Sequence, residues 1–136
     1  MAGLLLDTCA LIWAMADLDL SANARARIKE AGESGNLWLS PISAWEIATL
    51  VRRSRIKLAA DPEDWFDAAL ATPGINLASM PPRLLMRSLF LPSAPPNDPA
   101  DRIILATARA QNLTIVTRDQ KILAYGATGN ALVLAC

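Results

Sequence analysis

Five carboxylates stand out by what surrounds them. Asp7 closes the apolar run Gly3-Leu4-Leu5-Leu6 and is followed at once by Thr8. Asp98 and Asp101 lie in Asn97-Asp98-Pro99-Ala100-Asp101-Arg102, and Asp101 heads the stripe Ile104, Leu105 and Ala108, which shares its helix face. Glu46 has Ile42 and Leu50 four residues to either side, so it also borders apolar surface, where a carboxylate needs a partner on desolvation. Asp119 ends Thr117-Arg118-Asp119, just after another apolar run. If Asp7, Glu46, Asp101 and Asp119 meet, they repel one another, raise their own pKa values and call for a divalent cation. Oxygen-only ligands suit magnesium or manganese, and the matching chemistry is a metal-activated water attacking a phosphodiester. Each acid also has a local explanation. Asp7 and Asp98 are good helix N-caps, and Ser43-Ala44-Trp45-Glu46 matches a capping box. Capping and metal binding are compatible, because a carboxylate has two oxygens.

The rest of the composition narrows the chemistry further. The chain has 136 residues and no histidine, so Ser-His-Asp and Cys-His mechanisms, a histidine general base and a histidine zinc site are excluded. Thirteen basic residues balance thirteen acidic ones, so nucleic-acid binding must come from a local patch rather than from net charge. The length fits one domain, 1–136, and the apolar fraction of 53 % fits a filled core. Cys9 and Cys136 do not make a disulfide framework. Gly3–Leu6 is too short for a signal-peptide core, and no apolar run reaches the ~18 residues of a spanning helix, which points to the cytoplasm and away from the membrane.

The elements that must position the acids follow from apolar runs and caps. Short buried strands are expected at Gly3–Leu6, Leu37–Leu39, Ile75–Ala78, Leu113–Val116 and Ala131–Leu134. Between them, helices are expected over Thr8–Met15, Ser21–Ala31 with Ser21 as cap, and onward from Ser40-Pro41 through Arg52, Arg53, Arg55 and Lys57. Further helices are expected from Asp61-Pro62 to Ala71, over Arg83–Phe90, and from Asp98-Pro99 to a break at Gln111-Asn112. A last helical turn runs from Gln120 to Tyr125, with Gly126 as its stop. Strands alternating with helices indicate an α/β fold whose parallel sheet is covered on both faces.

In such a sheet, ligands bind beyond the carboxyl ends of the strands. Asp7 and Asp119 end two strands there, and Glu46 and Asp101 are expected in the first turns of helices at the same edge. Thr8, Ser43 and Thr117 stand close by in sequence and can orient the acids by hydrogen bonds. Asp98 suits a capping role, with Arg102 four residues later as an ion-pair partner. Arg52, Arg53, Arg55 and Lys57 form the densest basic run and are the best candidates for phosphate contact, although cations also favour a helix C-terminus.

Taken together, Leu-Leu-Leu-Asp7-Thr-Cys-Ala, Ser40-Pro-Ile-Ser43-Ala-Trp-Glu46-Ile, Asn-Asp98-Pro-Ala-Asp101-Arg102 and Val-Thr117-Arg-Asp119 resemble the PIN-domain ribonucleases. Within them the chain is most similar to the VapC toxins of bacterial and archaeal toxin–antitoxin pairs. The resemblance implies a three-layer α/β/α sandwich with a central, mostly parallel sheet. It implies Mg2+ or Mn2+ held by Asp7, Glu46, Asp101 and Asp119 with Asp98 as an auxiliary acid or helix cap, an RNA substrate, a homodimer and an inhibitory VapB-type antitoxin. Relatives often carry His two positions before the first Asp of Asp-Pro-x-Asp-Arg; this chain has Pro96 there. Three other readings compete with this one. A haloacid-dehalogenase-type phosphatase needs an acid two residues after its first-strand Asp, where this chain has Cys9. A non-catalytic α/β interaction domain has no need for all four acids. A housekeeping nuclease without an antitoxin is not separable by sequence.

Overall fold

The computed structural model describes residues 3–17 and 20–136. Among them are five strands: β1 (Leu4–Leu6), β2 (Leu37–Leu39), β3 (Ile75–Leu77), β4 (Thr114–Thr117) and β5 (Leu132–Ala135). The helices are α1 (Thr8–Met15), α2 (Ala22–Glu33), α3 (Pro41–Arg52), α4 (Pro62–Ala71), α5 (Pro82–Ser88), α6 (Pro99–Gln111) and α7 (Gln120–Ala127). All strand pairings are parallel, in the order β3-β2-β1-β4-β5. From β1 the chain winds to one side through β2 and β3, then crosses to β4 and β5 on the other. The reversal lies between β1 and β4, and a crevice at the carboxyl ends of those two strands is the expected ligand site.

Period-two alternation in the central strands builds the three layers. Leu4 and Leu6 face one side and pack with Leu11, Ala31, Ile47, Phe66 and Val116 under α1 to α4. Leu5 faces the other side and packs with Ile104, Leu105, Ile115, Ile122 and Tyr125 under α6 and α7. A one-residue register slip would exchange these sets, so burial on both faces fixes the register. Leu5 and Ile115 are completely buried, and truncating either to Ala costs about 2–5 kcal/mol.

Local chemistry starts and stops the helices and strands close to where expected, with several differences. Ser21, Ser40, Asp61 and Asp98 cap α2, α3, α4 and α6 through their side-chain oxygens, and Pro41, Pro62 and Pro99 hold the first helical position. Asn112, at φ 54°, closes α6 in the left-handed region. The differences begin at α3, which ends at Arg52 because Ser54 turns to φ 56°; Arg55 and Lys57 therefore lie beyond the helix. Next, α5 ends at Ser88, two residues short of Phe90, and β4 is one residue later than the apolar run, Thr117 included. Similarly, α2 continues past Ala31 to Glu33. Finally, Gly126 does not stop α7 but lies inside it. A Cβ there would fall on the Val133 side chain, so the glycine lets α7 approach β5.

Candidate active site

A cleft of about 690 Å³ opens at the carboxyl ends of β1 and β4 and is lined by Asp7, Glu46, Asp98, Asp101 and Asp119. Asp7 follows β1 directly and is buried, at 6 % exposure. Its Oδ1 caps α1 by accepting the Ala10 N–H at 2.7 Å, and its Oδ2 accepts the Thr117 hydroxyl. The Thr117 Oγ1 in turn accepts the Asp119 N–H at 2.9 Å, so one buried hydroxyl ties the ends of β1 and β4 together. Asp119 caps α7, its Oδ1 accepting the Lys121 and Ile122 amides at 2.8 and 3.1 Å. Asp98 Oδ2 accepts the Asp101 N–H at 3.0 Å, the cap reading for that residue. Arg102 does not pair with Asp98. Its Nε donates to the Pro96 carbonyl oxygen at 2.7 Å, which anchors the proline-rich loop at the cleft rim.

Glu46 differs from the sequence expectation. Ser40 is the cap of α3, which places Glu46 in the second turn and leaves no capping box with Ser43. Its Oε1 instead accepts from the Thr8 hydroxyl, which also lies 3.0 Å from the buried Ser43 hydroxyl. A carboxylate only accepts, so Thr8 spends its single proton on Glu46 and receives one from Ser43. Thr8 and Thr117 thus each donate directly to an acid, whereas Ser43 reaches Glu46 only through Thr8.

Electrostatics follow from this crowding. Burial raises the Asp7 pKa, opposed by the Thr117 and Ala10 hydrogen bonds and reinforced by Asp119. Burial likewise raises Glu46, opposed by Thr8 and reinforced by Asp98 and Asp7. Asp101 is pushed up to about 7, first by burial and then by the charges of Asp98, Asp119, Glu46 and Asp7. Its carboxylate receives no hydrogen bond from the described residues, so nothing offsets those effects. The cleft also pushes the Cys9 thiol up to about 11, by desolvation and then by the acids, which disfavours the thiolate at neutral pH.

The acids share the cleft without closing on one point. Among the described residues no three of them stand close enough together to hold one ion in this conformation. The donor set still fits a hard cation. Asp101 has both oxygens open, while Glu46 and Asp119 each have one oxygen without a protein donor. A bound cation would favour the charged forms that burial and mutual repulsion oppose.

Arg52, Arg53, Arg55 and Lys57 are exposed and none of them lines the cleft. The cations that do line it are Arg118 and Lys121, beside Trp13, Ile104 and Gln120. Sequence reasoning passed over these residues. Arg118 was detectable from its place between Thr117 and Asp119, whereas Trp13, six residues past Asp7, was not.

The PIN domain model matches residues 4–127. Ribonuclease VapC22 of Mycobacterium tuberculosis is 32 % identical over 123 residues, 90 % of this chain and 91 % of that protein. In structure, the chain is similar to VapBC2 from Rickettsia felis bound to a DNA fragment from its promoter, with a TM-score of 0.67 at 17 % identity and 97 % of each chain covered. DNA-bound VapBC from Salmonella typhimurium gives 0.61 at 15 % identity, over 99 % of this chain and 98 % of that one. The cleft acids Asp7, Glu46, Asp98, Asp101 and Asp119 all fall inside the matched span. The chain belongs to the PIN-domain family.

Proposed function

We propose that the protein is an endoribonuclease toxin of the VapC kind, a phosphodiester hydrolase dependent on Mg2+ or Mn2+ and restrained by a VapB-type antitoxin. The observation that carries the reading is the convergence of five carboxylates from four separate parts of the chain on one cleft. The 32 % identity to a ribonuclease of this kind supports the RNA substrate, and the likeness to VapBC assemblies supports the partner. No helix among the described residues is long and apolar enough to cross a membrane, consistent with a cytoplasmic site of action.

In this reading Asp7, Glu46, Asp101 and Asp119 would hold the metal, which when bound would supply a water nucleophile at neutral pH and stabilise charge on the phosphate. The chain's own part is positioning. Thr117 fixes the Asp7 carboxylate and the Asp119 amide, and Thr8 aims Glu46 while Ser43 backs Thr8. Asp98 keeps the first turn of α6 closed, which holds Asp101 at the cleft wall. A carboxyl with a pKa of about 7, such as Asp101, changes protonation readily near neutral pH and can take up or release a proton as ligands enter. Arg52, Arg53, Arg55 and Lys57 contact phosphates of a longer RNA away from the cleft, adding affinity and no chemistry. Met86, Leu89 and Phe90 leave large apolar area exposed at the end of α5, a surface that a second copy in a homodimer would cover.

The test is cleavage of single-stranded RNA by the purified protein in Mg2+, in excess chelator, and after Mg2+ is restored. Activity lost with chelator, recovered with metal and absent in Asp7→Asn is the expected result. Full activity in chelator would overturn the metal-dependent reading.

A further inference from the structure

Besides the acids, the cleft lining carries a built layer that positioning of the carboxylates does not require. The Arg118 guanidinium lies over the Trp13 ring, 3.9 Å from its centroid, and both residues line the cleft. Arg118 Nη2 also donates to the Cys136 carbonyl oxygen at 3.1 Å, so the guanidinium is held from two sides. Arg118 is nevertheless exposed, and Trp13 is half-buried. We propose that the Trp13–Arg118 layer positions the substrate, stacking a base of single-stranded RNA and pairing with the phosphate beside it. This inference rests on the ribonuclease reading and adds the residues that place the RNA strand.

Three physical points support it. A polyanion entering this cleft meets five carboxylates, and attraction from within the cleft comes from Arg118 and Lys121. Unpaired bases stack on aromatic rings and on guanidinium planes, and Arg118 on Trp13 offers both in one layer. A guanidinium already held flat loses less freedom on binding than a mobile lysine, which makes Arg118 the better anchor of the two cations. The competing structural role is that Arg118 merely fastens Cys136 to the end of β4. That role predicts a loss of stability and no change in how RNA is bound.

Binding is measured by fluorescence anisotropy with a short 5′-labelled single-stranded RNA, in chelator, on the Asp101→Asn background so that no cleavage intervenes. Arg118→Ala is expected to weaken binding about tenfold and to lower the log–log salt slope by about 0.7, the share of one phosphate contact on a single strand. Arg118→Lys should restore the slope but not the affinity, because the charge returns without the plane. Trp13→Ala should weaken binding while leaving the slope unchanged, and Trp13→Phe should recover most of the loss. In the cleaving protein, Arg118→Ala should raise KM about tenfold with kcat within about threefold. Unchanged affinity and slope in Arg118→Ala, with only a lowered Tm, would overturn the proposal and leave the fastening role. If the protein with Asp101 intact cleaves RNA in Mg2+ while these variants bind normally, the positioning claim alone fails. If it cleaves no RNA at all, the ribonuclease reading fails and takes this inference with it.

Discussion

Replacing Asp101 by Asn should stabilise the metal-free protein while removing its activity. Asp101 is half-buried among four other carboxylates and receives no hydrogen bond from the described residues, and its pKa is pushed up to about 7 from 3.8. At about 1.4 kcal/mol per pH unit, ionising it in the fold costs at most about 4.5 kcal/mol more than in the unfolded chain. Water reaches the carboxylate, and screening reduces this to roughly 2 kcal/mol. Asn also gives up a favourable charge in the first turn of α6, worth about 0.3–1 kcal/mol. The net gain is about 1–2 kcal/mol, or a Tm higher by roughly 3–6 °C for a chain of this size. The sign with pH is fixed by the raised pKa. The folded state binds the extra proton, so the Asp101 contribution to stability is complete below about pH 3.8 and is lost as pH rises to about 7. The gap between variant and wild type should therefore be widest above pH 7 and should close toward pH 4. Thermal melts followed by circular dichroism in chelator at pH 8, 7, 6 and 5 give the curve. Asp101→Asn melting at or below wild type at pH 8, or a gap independent of pH, would refute the reasoning. Glu46→Gln is a useful control, since its amide oxygen can still accept from Thr8.

Thr117→Val should leave Asp7 Oδ2 and the Asp119 amide without their partner, costing about 1–3 kcal/mol in denaturant titrations, with Thr117→Ser close to wild type. Joint replacement of Arg52, Arg53, Arg55 and Lys57 by Ala should weaken binding of a long RNA and flatten its salt dependence, with cleavage of a short oligonucleotide unchanged. An unchanged salt slope would place the longer RNA elsewhere. Phe90, at 84 % exposure, is the most open of the large apolar side chains among the described residues. Phe90→Asp should shift sedimentation from dimer to monomer without lowering the monomer's own folding, and a persisting dimer would move the interface to another face.

The strands and the acids at their ends were legible because each rests on a short-range cause. Apolar runs such as Leu4–Leu6 and Ile115-Val116 have one stable place in a sheet covered on both faces, and caps such as Asp98-Pro99 announce a helix start. What stayed hidden depends on contacts between distant segments. Ser43-x-x-Glu46 fits a capping box locally, yet Ser40 took the cap and Glu46 turned to Thr8, 38 residues away in sequence. Gly126 looks like a helix stop until Val133 is seen against it. Arg102 is spaced to pair with Asp98, but the Pro96 carbonyl oxygen offers its guanidinium a fixed acceptor. The basic run around the end of α3 is conspicuous by density alone, whereas the cations in the cleft are Arg118 and Lys121, set there by the β4–α7 turn.

The central claim, that Asp7, Glu46, Asp101 and Asp119 form one cation site, is tested most directly by titrating Mn2+ into the protein and following free Mn2+ by electron paramagnetic resonance. Wild type should bind Mn2+ and release protons near neutral pH, because Asp101 is partly protonated there until the metal arrives. Asp101→Asn and Asp7→Asn should each bind at least about tenfold more weakly, a loss of about 1.4 kcal/mol or more. Equal binding by all three proteins, or no binding by wild type, would contradict the account.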